Sequence, residues 1–180
     1  MRGEKTTVDN LGNLMPEVYD QLRFVARNMV GYGGAGNRTP TLGATALVHE
    51  AWARLAASGI QPNDKQHLLA LASRVLRQVL IDYVRTKGRH KRGGDVMRLH
   101  LDEAITAAQK RSIDLLELDE VLTRLADFGP RQAQVVEMRF FGSLTPDEIA
   151  GVLGVSRRTV ENDWAAARSW LYGQLSSATS

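Results

Sequence analysis

Toward the carboxyl end of the chain, Arg157, Arg158, Thr159, Glu161, Asn162 and Arg168 fall within a short stretch. These are side chains that read nucleic acid: arginine bonds guanine bidentately, asparagine pairs with adenine, and glutamate accepts from cytosine. Their neighbours Val160, Trp164, Ala167 and Leu171 recur at helical spacing. If those face a core, the polar set is left on the outer side of one helix. Just upstream, Thr145-Pro146-Asp147-Glu148 carries the signs of a helix start: a capping threonine, proline at the first helical position, and glutamate completing a capping box. Gly154 ends that short helix and Ser156 caps the next one at once. Two helices joined by a turn of about three residues are a helix-turn-helix, whose second helix enters the major groove by its first turns.

A second chemical signal is charge. From Lys65 to Gly93 the sequence places Lys65, Arg74, Arg77, Arg85, Lys87, Arg89, Lys91 and Arg92 against one acid, Asp82. From Asp102 to Asp127 the sign reverses: Asp102, Glu103, Asp114, Glu117, Asp119, Glu120 and Asp127 face only Lys110, Arg111 and Arg124. Such asymmetry predicts two functional halves, the first attracted to an anionic partner. Catalysis finds no support. His49, His67, His90 and His100 have no second histidine at metal-ligand spacing, and with 0 cysteines there is no thiolate ligand or nucleophile. No metal and no cofactor is expected.

The elements that must position these groups are helical. The apolar positions of Leu14 to Val30, about Gly43 to Ala57, Lys65 to about Lys87 and Glu117 to Ala126 recur with helical period. Breaks fall at the glycine cluster 31–36, at 59–64 and at Gly129-Pro130. Trp164, Trp170 and Tyr83 fit core positions better than base-stacking ones. No window alternates with period two, and residues 94–116 read as a linker with one short helix. The fold class is therefore all-α: two small helical domains on a linker, with 1–13 a flexible tail, 14–93 and 117–176 the domains. At 180 residues and 43% hydrophobic the chain can bury a core, and it lacks an apolar run long enough for a membrane span or a signal peptide. A cytoplasmic protein without a membrane partner is expected.

With these residues in view, Gly129-Pro130-Arg131-Gln132-Ala133-Gln134-Val135-Val136-Glu137-Met138-Arg139-Phe140-Phe141-Gly142 and the helix-turn-helix after it resemble domain four of bacterial extracytoplasmic-function (ECF) sigma factors. Ala46-Leu47-Val48-His49-Glu50-Ala51-Trp52-Ala53-Arg54-Leu55 and the long basic helix resemble their domain two. The resemblance implies a non-enzymatic promoter-specificity subunit of RNA polymerase. It assigns Arg157, Arg158, Thr159, Glu161, Asn162 and Arg168 to the minus-thirty-five element. Arg74, Arg77, Gln78, Arg85, Lys87, Arg89, Lys91 and Arg92 are assigned to the melted minus-ten element, and Thr45, Leu47, His49, Glu50, Trp52 and Arg54 to core polymerase. A stand-alone dimeric DNA-binding regulator, or an adaptor that binds polymerase without DNA, would account for parts of the pattern. The separate basic helix favours the sigma factor.

In one respect the chain departs from the family it resembles. Acidic residues usually precede the Leu-Val pair of domain two and meet basic residues of the β′ clamp helices, but here the stretch is Gly43-Ala44-Thr45-Ala46. Phosphorylation adds about −1.5 to −2 charges. Thr45, at one of the missing acidic positions and near the expected helix start, is the candidate site for a serine/threonine kinase. The promoter, the inducing signal and any anti-sigma partner are not legible in the sequence.

Overall fold

In the computed structural model, residues 4–31, 40–90, 98–100 and 112–177 are described. Seven helices lie among them: α1 (Glu4–Gly31), α2 (Pro40–Ser58), α3 (Lys65–His90), α4 (Leu115–Phe128), α5 (Pro130–Phe141), α6 (Pro146–Leu153) and α7 (Arg157–Ser177). The all-α class holds. Among the described residues, no helix is long and apolar enough to cross a membrane.

Helices α1, α2 and α3 pack on one another, as do α4, α5 and α7, with α6 set against α5 and α7. The first bundle buries Val18, Leu22, Val25, Met29, Leu47, Val48, Ala51, Leu55, Leu68, Leu69, Ala72, Leu76, Val79 and Leu80; the second buries Leu118, Val121, Leu122, Leu125, Val160, Trp164, Ala167 and Leu171. These are the stripes that helical spacing predicts. Leucine, alanine, arginine, lysine and glutamine, all strong helix formers, make up most of α3.

Two expectations are corrected. The flexible tail at 1–13 is helical from Glu4, and Leu11 joins the core; the helix runs through Gly12 and Pro16. The linker carries strands where a short helix was expected: β1 (Arg98–His100) pairs antiparallel with β2 (Ser112–Asp114), Leu99 opposite Ile113. Strands of three residues are too short to show an alternating pattern.

The two bundles are also in contact. Helix α3 packs against α4, α5 and α6, and α1 reaches α5. Buried apolar residues of both halves form one continuous cluster. Gly142, just past α5, is buried against α3: a Cβ placed there would lie 3.1 Å from the Cβ of Ser73 and closer still to Leu144 and the Met138 carbonyl. Only a residue without a side chain lets the backbone approach this near.

Candidate nucleic-acid interface

The helix-turn-helix forms from local chemistry. The Thr145 hydroxyl accepts from the Glu148 N–H, and the Glu148 carboxylate accepts from the Thr145 N–H at 2.8 Å, so the capping box is complete. Gly154 sits at φ 64°, ψ 33°, the left-handed conformation that glycine adopts most cheaply, and its N–H donates to the Ala150 carbonyl. The Ser156 hydroxyl then accepts from the Thr159 N–H at 3.1 Å and starts α7. Each connection follows the sequence reading.

On α7 the outward face carries Arg157, Arg158, Glu161, Asn162 and Arg168, all exposed, with Ala165 and Ala166 between them. Their surroundings differ. Arg157 Nε donates to Glu161 at 2.8 Å and its Nη1 to Asp147 of α6 at 3.0 Å. Hydrogen bonding to Glu161, with the charge of Asp147 beside it, raises the Arg157 pKa. Thr159 is half-buried, and its hydroxyl lies 2.9 Å from that of Ser156. It takes part in the cap.

Asp163 is one of two buried polar residues among those described, and the sequence reading missed it. It lies on the inward face with Val160, Trp164 and Ala167. Arg131 Nε donates to one of its oxygens at 2.6 Å, and Arg131 Nη2 and Gln132 Nε2 donate to the other at 3.2 and 3.1 Å. Bonding to Asp163 raises the Arg131 pKa. A forked arginine–carboxylate pair of this kind fixes orientation, here that of α7 on α5. The Arg139 guanidinium lies 4.5 Å above the Trp164 ring and adds a second link between the same helices. An aspartate falling on an apolar stripe was the sequence signal for this link.

The α3 candidates divide into three groups. Arg74, Gln78 and Arg85 are exposed along one stripe. Arg77 is only 15% exposed and is engaged by the second bundle, through Asp119 and Glu137. Lys87 and Arg89 lie on the last turn of α3, with side chains outside the described residues, and Lys91 and Arg92 lie outside them altogether. A cleft of about 390 Å³ opens between α2, α3, α4 and α5. Arg54, Arg74, Arg77 and Arg85 line it, facing Asp82, Asp119 and Glu137.

The α2 candidates also separate. His49 and Glu50 are exposed, and the His49 ring lies 6.1 Å from that of Tyr19. Thr45 and Trp52 are half-buried. Leu47 is buried, so it is a core residue and not a surface contact. Arg54 Nη1 donates to Asp82 of α3 at 2.8 Å and its Nε to Glu50 at 2.9 Å, bonds that raise its pKa, with Asp82 the larger cause. Helix α2 begins at Pro40, before the expected Gly43, so Thr45 sits in its second turn. A helix dipole acts within the first turn and adds little there. Among the described residues, no three of His, Asp and Glu are grouped as a metal site.

A cationic helix in one bundle, a connecting segment and a helix-turn-helix with a polar outer face in a second bundle occur in this order along one chain. A family model described as ECF sigma factor matches residues 3–177. The chain belongs to the ECF sigma factor family. No curated protein matches it in sequence. As a member of that family, the sigma factor is non-enzymatic, binds core RNA polymerase and directs it to promoter DNA.

Proposed function

We propose that this sigma factor belongs to a branch without acidic residues in the polymerase-contacting helix, and that phosphorylation of Thr45 supplies the missing charge. The observation that carries the reading is the exposed face of α2, with Ala46, His49, Glu50 and Ala53 at helical spacing. Its one carboxylate, Glu50, is already bonded by Arg54. A basic partner surface therefore meets little negative charge, and electrostatic attraction that speeds and orients docking is weak. A phosphate on Thr45 would restore it with three strong acceptor oxygens. A serine/threonine kinase acting here must unwind the first turns of α2, and Gly43 lowers the cost of doing so.

The same reading makes 14–93, extended back through α1, the minus-ten domain, 94–116 the linker, and 117–176 the minus-thirty-five domain. Arg158, Asn162, Glu161 and Arg157 read base edges, with Thr159 and Arg168 beside them. Arg74, Arg77, Gln78, Arg85, Lys87, Arg89, Lys91 and Arg92 hold the melted strand, where cations along a groove track the backbone. His49, Glu50, Trp52 and Arg54 surround Thr45 in the polymerase contact.

Capture of core polymerase tests the switch, using wild type, Thr45→Ala, Thr45→Glu and a chain carrying phosphothreonine at 45. Binding is expected to rise in the order alanine, glutamate, phosphothreonine, with unmodified wild type close to alanine. Equal capture by all four ends the proposal.

A further inference from the structure

The helix-turn-helix carries an ion-pair cluster across its turn. Arg157 opens α7, and two carboxylates from different helices share its guanidinium. Glu161, one turn along α7, accepts from Nε at 2.8 Å. Asp147, in the first turn of α6, accepts from Nη1 at 3.0 Å. The capping box at that helix start is made by Thr145 and Glu148, so the Asp147 carboxylate is left to meet Arg157.

Two carboxylates against one guanidinium give the trio a net negative charge. It lies at the end of α7 that a recognition helix turns to DNA. An unpaired arginine in this position attracts any phosphate, whatever the sequence. Arg157, held as it is, offers no such attraction, and a phosphate approaching it is repelled by Asp147 and Glu161. The side chains of Arg157, Asp147 and Glu161 are 59%, 66% and 49% exposed. Exposed pairs are weak, so these bonds can be exchanged for better ones.

The exchange balances only where both partners are replaced. Arg157 needs acceptors, which guanine supplies at O6 and N7, and Glu161 needs a donor, which the cytosine N4 amine supplies. A G·C pair presents all of these side by side in the major groove. An A·T pair sets its N6 amine between its two acceptors, so it cannot take a forked arginine, and it leaves a thymine carbonyl against Glu161. A phosphate gives Arg157 acceptors but leaves Glu161 without a donor. We propose that Asp147 sets specificity by positioning Arg157: together with Glu161 it withholds the arginine from backbone phosphates and releases it at a G·C pair of the minus-thirty-five element. Asp147 acts through Arg157 and is a positioning residue. The inference rests on the reading of α7 as the recognition helix.

Holoenzyme made from core polymerase and the full chain is titrated with two duplexes of equal length. One is a promoter selected by the wild-type holoenzyme, and the other is the same fragment with its minus-thirty-five element scrambled. Asp147→Asn is expected to bind the scrambled duplex more tightly and to lower the preference for the promoter on the order of tenfold, within the worth of one bidentate base contact. On the scrambled duplex its slope of log affinity against log salt should steepen by about 0.9, because the released Arg157 neutralises one phosphate. Asp147→Glu keeps the carboxylate and should stay near wild type. In an Arg157→Ala background, Asp147→Asn should change nothing further. An aspartate that merely supported the fold would behave differently: its loss would weaken binding to both duplexes without steepening the slope. Unchanged or weaker binding of Asp147→Asn to the scrambled duplex overturns the proposal, as does an effect that persists without Arg157. If Arg157→Ala loses preference at one G·C pair while Asp147→Asn matches wild type, the role of Asp147 fails and the recognition-helix reading stands. If Arg157→Ala and alanine at Arg158, Glu161 and Asn162 all leave every base preference as in wild type, that reading fails and the proposal with it.

Discussion

On the proposed assignment, Arg157 and Arg158 are neighbours with different tasks to perform before they can bind DNA. Arg157 must leave Glu161 and Asp147, whereas Arg158 is exposed at the first turn of α7. Asn162, one turn further along, stands on the same stripe as Arg158. Replacing Asn162 by alanine is expected to remove about 1–3 kcal/mol of discrimination at one base position. Competition binding of holoenzyme to promoter variants would show this as relaxed preference at a single position. Gly154 makes a different kind of demand. A Cβ at this position would touch nothing within 4 Å, so a side chain fails there only through its backbone, at φ 64°. Gly154→Ala is expected to cost about 1–2 kcal/mol, the penalty of the left-handed region for an L-residue, measured by urea unfolding. An unchanged midpoint would contradict that account.

Helix-scale structure was legible in the sequence wherever its causes are local. The capping box at Thr145, the stop at Gly154 and the cap at Ser156 each involve residues within a few positions of one another, and the structure contains all three. The apolar stripes of α2, α3, α4 and α7 were equally plain. Legibility failed where the cause is distant in sequence. Residues 4–13 carry few apolar positions, and it is packing of Leu11 into the core that accompanies their helix. Arg77 looks like another member of a basic helix until its partners, Asp119 and Glu137, are brought in by folding. Leu47 was placed on a polymerase-contacting surface by analogy of motif, while its position on α2 turns it to the core. At this scale Arg85→Ala tests the exposed α3 stripe. Loss of one phosphate contact should lower the slope of log affinity against log salt by about 0.9 on duplex DNA and about 0.7 on a single strand. A salt titration of the holoenzyme–promoter complex measures it, and an unchanged slope would remove Arg85 from the backbone contacts.

For the whole molecule, family membership gives a sigma factor that directs polymerase to promoter DNA, and its two bundles are packed together across α3. Asp119, from the acidic stretch, and Glu137 pair with Arg77 within the molecule. The account depends most on the capacity of this chain to confer a defined start site. Run-off transcription with purified core polymerase, on templates selected by the reconstituted holoenzyme, tests it directly. The account predicts one discrete transcript that requires the sigma factor and is lost when the outer face of α7 is changed to alanine. With the chain present in wild-type and phosphothreonine forms, failure to produce any discrete transcript would contradict it.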